Sequence, residues 1–170
     1  MGLLQEARAK AEASVPSQYR KSFDAIMAAG LKMMFSEQTF PEMKRYIATI
    51  KSPDDVPRIV AHGITKLLSL LINGLKKKFP FEPSGSAAIV LMTHALEYVE
   101  RAMKIQITPD MLAETTRLVS QGHLLMLKQA TGLNDAQFQQ IMAGRGKELI
   151  DQSKQTPPQN GTPPAGEGGL

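Results

Sequence analysis

Cysteine and tryptophan are both missing from the 170 residues. Without a thiol the chain can form no disulfide framework, offer no thiolate nucleophile and build no cysteine-based zinc site. That suits a reducing compartment without requiring one. Aromatic residues are few, and six Phe and three Tyr leave little for the stacking platforms on which single-stranded nucleic acids lie. Neither charge dominates: 20 Lys and Arg stand against 16 Asp and Glu, interspersed along the chain. The formal charge of +4 therefore favours acidic surfaces such as nucleic acid or anionic lipid only mildly. No run of apolar residues reaches the roughly 18 that a membrane-spanning helix needs. Met1–Glu6 lacks the basic and apolar pattern of a secretory signal, and Glu6 stands where a myristoylation signal has Ser or Thr. Strand-type alternation and internal repeats are absent as well.

What remains is helical periodicity. Hydrophobic residues make up 42% of the chain, enough for a core once a polar tail is set aside. Residues 1–16 read as a marginal helix or arm, rich in Ala, Glu, Lys and Arg but with only Leu3 and Leu4 as large apolar residues. Residues 17–153 read as a helical bundle domain. Its first stripe is Tyr19, Phe23, Ile26, Met27, Leu31 and Met34. Thr39-Phe40-Pro41 starts a short helix with Met43, Tyr46, Ile47 and Ile50 inward. Pro57 points to Asp54 or Asp55 as the cap of the next helix, because proline fits only a first turn. That helix carries Ile59, Val60, Ile64, Leu67, Leu68, Leu71 and Leu75 on one face.

Ser86 opens a helix whose residues Ala87 to Met92 are apolar all round, the mark of burial on several sides. Thr108-Pro109-Asp110 caps a further helix with Leu112, Leu118, Val119, Leu125 and Met126 as its stripe and Gly132 as its C-terminal stop. Asn134 and Gln137 form a capping-box start to a last helix bearing Phe138, Ile141, Met142, Leu149 and Ile150. Residues 154–170, rich in Pro and Gly, cannot build a core and read as a disordered tail. The expected fold is all-α: an irregular bundle of about six helices with that tail.

No enzyme signature is legible. His62, His94 and His123 each fall on a different helix, and no pair has the four-residue spacing that puts two imidazoles on one face. His94 and Glu97 form an i, i+3 pair without the second such motif a di-iron bundle needs. Asp54-Asp55 reads as a helix cap, and Gly144-Arg145-Gly146-Lys147 lacks the spacing of a phosphate loop. The expectation is a non-enzymatic chain with no metal, no cofactor and no small-molecule substrate.

Ten methionines, Met33 and Met34 among them, read chiefly as flexible core filler and alternatively as an adaptable binding face. Gly30, Gly63, Gly74 and Gly122 sit inside helices, where each costs about 1 kcal/mol against Ala; close helix–helix approach explains them best. The segment Gly63–Lys78 is Leu- and Ile-rich, nearly free of acid and closed by a lysine run. It reads as a bundle helix whose cations complement its C-terminal dipole, or as an amphipathic helix that meets an anionic membrane. On the second reading Lys66, Lys76, Lys77 and Lys78 are the contact residues.

In overall style the Met-rich, Cys- and Trp-free helical body, the Ala/Glu/Lys opening and the tail Thr156–Leu170 resemble small bacteriophage virion proteins of the internal or DNA-ejection type. The resemblance rests on composition and carries no functional residue. It implies a non-enzymatic component of a larger assembly, located in a virion and able to meet membrane or DNA. The broad apolar faces of the helices themselves point to other protein subunits as partners, in a homo- or hetero-oligomer. A nucleic-acid or anionic-surface binder is the alternative.

Overall fold

A computed structural model describes residues 2–75, 79–132 and 134–142, by backbone alone at 131, 138, 141 and 142. Among them are seven α-helices, two 3₁₀ turns and no strand. The helices are α1 (Leu3–Ala13), α2 (Arg20–Phe35), α3 (Phe40–Ile47), α4 (Val56–Leu75), α5 (Ser84–Met103), α6 (Pro109–Thr131) and α7 (Asp135–Met142). Met1–Gly132 is one compact unit; Leu133–Leu170, which contains α7, is a second. The fold is the all-α bundle that the periodicity predicts. Residues 154–170, expected to be disordered, lie outside the described residues, as do Leu149 and Ile150.

Helix α5 is the hub of the first unit, packed against α1, α2, α4 and α6. Ala87, Ala88, Val90, Leu91, Met92, Ala95, Leu96 and Val99 are all buried, as expected of a segment apolar on every side. Close approach is built in at its neighbours. A Cβ on Gly30 of α2 would lie 2.7 Å from Leu91 Cδ1, and one on Gly122 of α6 would collide with Thr65 of α4. Gly63 likewise faces the Tyr46 ring. A side chain at Gly74 would meet nothing within 4 Å, so close approach does not account for that glycine.

The helix ends follow local chemistry. Thr108 Oγ1 accepts the Met111 N–H at 3.2 Å, with Pro109 at the first helical position, and Gly132 closes α6 at φ 65°. Asn134 and Gln137 exchange side-chain and backbone bonds of 2.9 and 3.1 Å at the start of α7. At the start of α4 the boundary falls where Pro57 puts it: Asp55, one of the two expected cap positions, directly precedes Val56, and Pro57 lies in the first turn. The difference is that Pro53–Asp55 forms a 3₁₀ turn with Ser52 as its N-cap residue, and Asp55 reaches back to accept the Ser52 N–H at 3.1 Å. Similarly, α5 begins two residues earlier than Ser86, at Ser84.

The segment 1–16 is largely helical, and α1 lies along α5. It buries little apolar surface beyond Leu4 and the following Val15, so polar contacts hold it. Arg8 donates to Glu97 Oε2 at 2.8 Å and to Thr93 Oγ1 at 3.1 Å. Glu97 also accepts from Arg101 at 2.7 Å. The Arg8 hydrogen bond holds the Glu97 carboxyl below its ordinary pKa.

Candidate functional site

The turn between α2 and α3 organises the most distinctive surface of the first unit. Ser36 Oγ and Thr39 Oγ1 lie 2.8 Å apart, and Thr39 Oγ1 also donates to the Met33 carbonyl at the end of α2. These bonds satisfy helix-end groups that α2 leaves open. They also fix the direction in which α3 leaves, and the buried Ile47 and Ile50 anchor its far end.

Two features result. The first is an aromatic cluster of Phe35, Phe40 and Tyr98, drawn from α2, α3 and α5. Phe40 meets Tyr98 edge-on with centroids 5.5 Å apart, and Phe35 lies 6.2 and 6.4 Å from the two. Lys44 Nζ sits 4.8 Å above the Phe40 ring, a cation–π contact at the cluster's edge. Phe35 keeps 40% of its surface exposed.

The second is a cleft of about 190 Å³ between α2, α3 and α4. Met33 and Met34 of α2, Met43 of α3, Ile59, Val60, Ile64 and Leu67 of α4 and Ala95 of α5 line it. Its polar groups are Thr39, Glu42, Tyr46 and Lys66, and the exposed Leu70 stands at its edge. Burial raises the pKa of the Tyr46 hydroxyl against the pull of Arg58; a phenol is in any case protonated, and so a donor, at neutral pH. The Tyr46 ring stacks on His62 with centroids 5.8 Å apart.

Of the lysines assigned to anionic-surface contact, Lys66 is exposed and belongs to the cleft lining. Lys76, Lys77 and Lys78 lie outside the described residues. The apolar face of α4, which precedes them in the chain, is core: Ile64, Leu67, Leu68 and Leu71 are buried. Leu75, expected on that face, is 39% exposed, because the buried stripe stops a turn before α4 does. Among the described residues no helix is long and apolar enough to cross a membrane.

The three histidines occupy three environments. His62 is exposed on the Tyr46 stack, and His94 is half-buried, its pKa lowered first by burial and then by Arg8. His123 is buried, with Nε2 2.7 Å from Ser84 Oγ, and Ser84 Oγ in turn lies 2.6 Å from the Phe81 carbonyl. One hydroxyl has one proton, and the carbonyl can only accept; Ser84 therefore donates to Phe81 and accepts from His123 Nε2–H. This arrangement does not activate Ser84 as a nucleophile. The serine's proton points away from the imidazole, and Ser84 is fully buried. Sequence reading missed the pair because its members lie 39 residues apart with no motif around either.

Four arginines spend their charge within the chain: Arg8 and Arg101 on Glu97, Arg58 on Asp55 and Arg117 on Glu114. Among the described residues no group of three or more His, Asp or Glu is placed to hold a metal ion. No family model, curated protein or solved structure matches this chain.

Proposed function

We propose that the chain is a non-enzymatic structural and assembly protein that docks other protein subunits, further copies of itself first among them. The observation that carries this reading is the aromatic cluster with Phe35 at its outer face. A rigid ring that is held on one side by Phe40 and Tyr98, yet 40% open to water, has the character of an interface anchor. Such rings bring a large apolar area at low entropic cost, and they dominate the energetics of protein interfaces. Lys44 supplies a polar edge of the kind that rims interfaces.

The setting we propose is a bacteriophage virion, as an internal or DNA-ejection component. What supports it is the compositional likeness of a Met-rich helical body without Cys or Trp. Binding to nucleic acid is the weaker reading, since four of the six arginines among the described residues, Arg8, Arg58, Arg101 and Arg117, are engaged with carboxylates of the chain itself.

Sedimentation at several concentrations tests the proposal. The native chain should associate as concentration rises, and Phe35→Ser should remain monomeric at the same concentrations with an unchanged helical spectrum. A monomer at every concentration in both forms overturns it.

A further inference from the structure

We infer that the cleft between α2, α3 and α4 binds a free single-chain amphiphile with a carboxylate head, its tail among the methionines and its head at Lys66 and Tyr46. This goes beyond the assembly role and does not depend on it, because the cleft and the Phe35 face are separate features.

The shape of the cleft sets the class of occupant. A partner helix is about 10 Å across with its side chains, and α3 already lies over that part of α4, with Met43 and Tyr46 at the cleft. The remaining 190 Å³ is somewhat larger than an apolar cavity of about 150 Å³ that takes up benzene. It admits a slender tail and no second helix. Met33, Met34 and Met43 suit such a guest, because an unbranched thioether adapts its rotamers to a chain of variable length.

The polar lining sets the head. Lys66 makes no ion pair with any described residue, and the Tyr46 hydroxyl has no hydrogen-bond partner among them. Lys66 is the cation of the lining, and Tyr46 adds a neutral donor to it. Glu42, also in the lining, opposes an anion, so its removal should strengthen binding. An apolar hollow lined by a few polar groups is the usual form of a small-molecule site.

The test uses the full chain labelled with ¹³C at the methionine methyls, titrated with decanoate, decanol and decyltrimethylammonium below their micellar concentrations. Decanoate should bind saturably and bind tightest, shifting the methyls of Met33, Met34 and Met43 before those of the other methionines. Lys66→Ala should weaken decanoate about fivefold, the upper range of an exposed ion pair, and leave decanol unchanged. Glu42→Gln should tighten decanoate. Both side chains are exposed, so neither variant threatens the fold. Failure of decanoate to saturate, tighter binding of the cation, or shifts centred on other methionines each overturn the proposal. Binding to phosphatidylglycerol vesicles without binding of decanoate also overturns it, in favour of a membrane surface.

Discussion

His123 Nε2 lies 2.7 Å from Ser84 Oγ, joining the middle of α6 to the first residue of α5 inside the core. Burial pushes the His123 pKa down from 6.5 to about 4, so the ring is neutral in the folded protein at neutral pH. On unfolding it regains its ordinary pKa, and below 6.5 it takes up a proton. Stability therefore falls as pH drops from about 6.5 towards 4, by roughly 3 kcal/mol in full. Thermal melts across that window should show the decline, and His123→Gln should flatten it. An unchanged slope in the variant would assign the effect to other groups.

The Glu97 carboxylate works in a lower window. Its pKa is depressed from 4.5, chiefly by the Arg8 hydrogen bond, so its contribution is present above the unfolded value and lost as pH falls through the folded one. Arg8→Ala should cost about 1.5–3 kcal/mol, as for a hydrogen bond to a charged group, and should expose α1 to protease before the rest of the unit. Arg101→Ala removes only an exposed partner of Glu97 and should cost less than about 1 kcal/mol. Equal losses in the two variants would show that Arg8 does not hold α1.

Two glycines should respond to alanine with opposite signs. Gly30→Ala drives a methyl to within 2.7 Å of the fully buried Leu91, and overpacking of this kind costs about 1–3 kcal/mol. Gly74→Ala meets nothing within 4 Å and should stabilise α4 by up to about 1 kcal/mol through helix propensity. Chemical denaturation of the two variants measures both.

Leu91 and Leu96 are both fully buried on α5. Replacement of either by Ala should cost about 2–5 kcal/mol. Losses under about 0.5 kcal/mol, the size found at exposed sites, would contradict the central place of α5.

The bundle was legible because its signals are local. The unbroken apolar run Ala87–Met92 announces a helix buried all round, and Thr108-Pro109, Gly132 and the Asn134–Gln137 box mark their helix ends from side-chain chemistry alone. The inward face of α6 was less legible. Its buried row is Thr115, Val119, His123 and Leu127, one residue every four, and two of those are polar. The apolar residues alone therefore point the face towards Leu125, which is 55% exposed. Thr115 can sit in the row because its hydroxyl donates to the Met111 carbonyl, as His123 does to Ser84.

The cleft and the aromatic cluster were not legible as sites. The pattern gave Met34, Met43 and Tyr46 inward positions on their own helices, and Lys66 was marked for its charge. Nothing in it says that α2, α3, α4 and α5 bring them to one hollow, or that Phe35 and Phe40 meet Tyr98. Such juxtapositions depend on how helices cross, which side-chain packing decides.

Because the chain has no cysteine, one introduced thiol reports one contact, and the most direct test of assembly through the aromatic face is disulfide trapping beside Phe35, at the exposed Lys32 one turn back on α2. Lys32→Cys, which keeps the Phe35 ring, should form a disulfide-linked dimer under mild oxidation at concentrations where Gln121→Cys, exposed on α6, stays monomeric. Equal cross-linking at the two positions, or none at Lys32→Cys, would contradict the account.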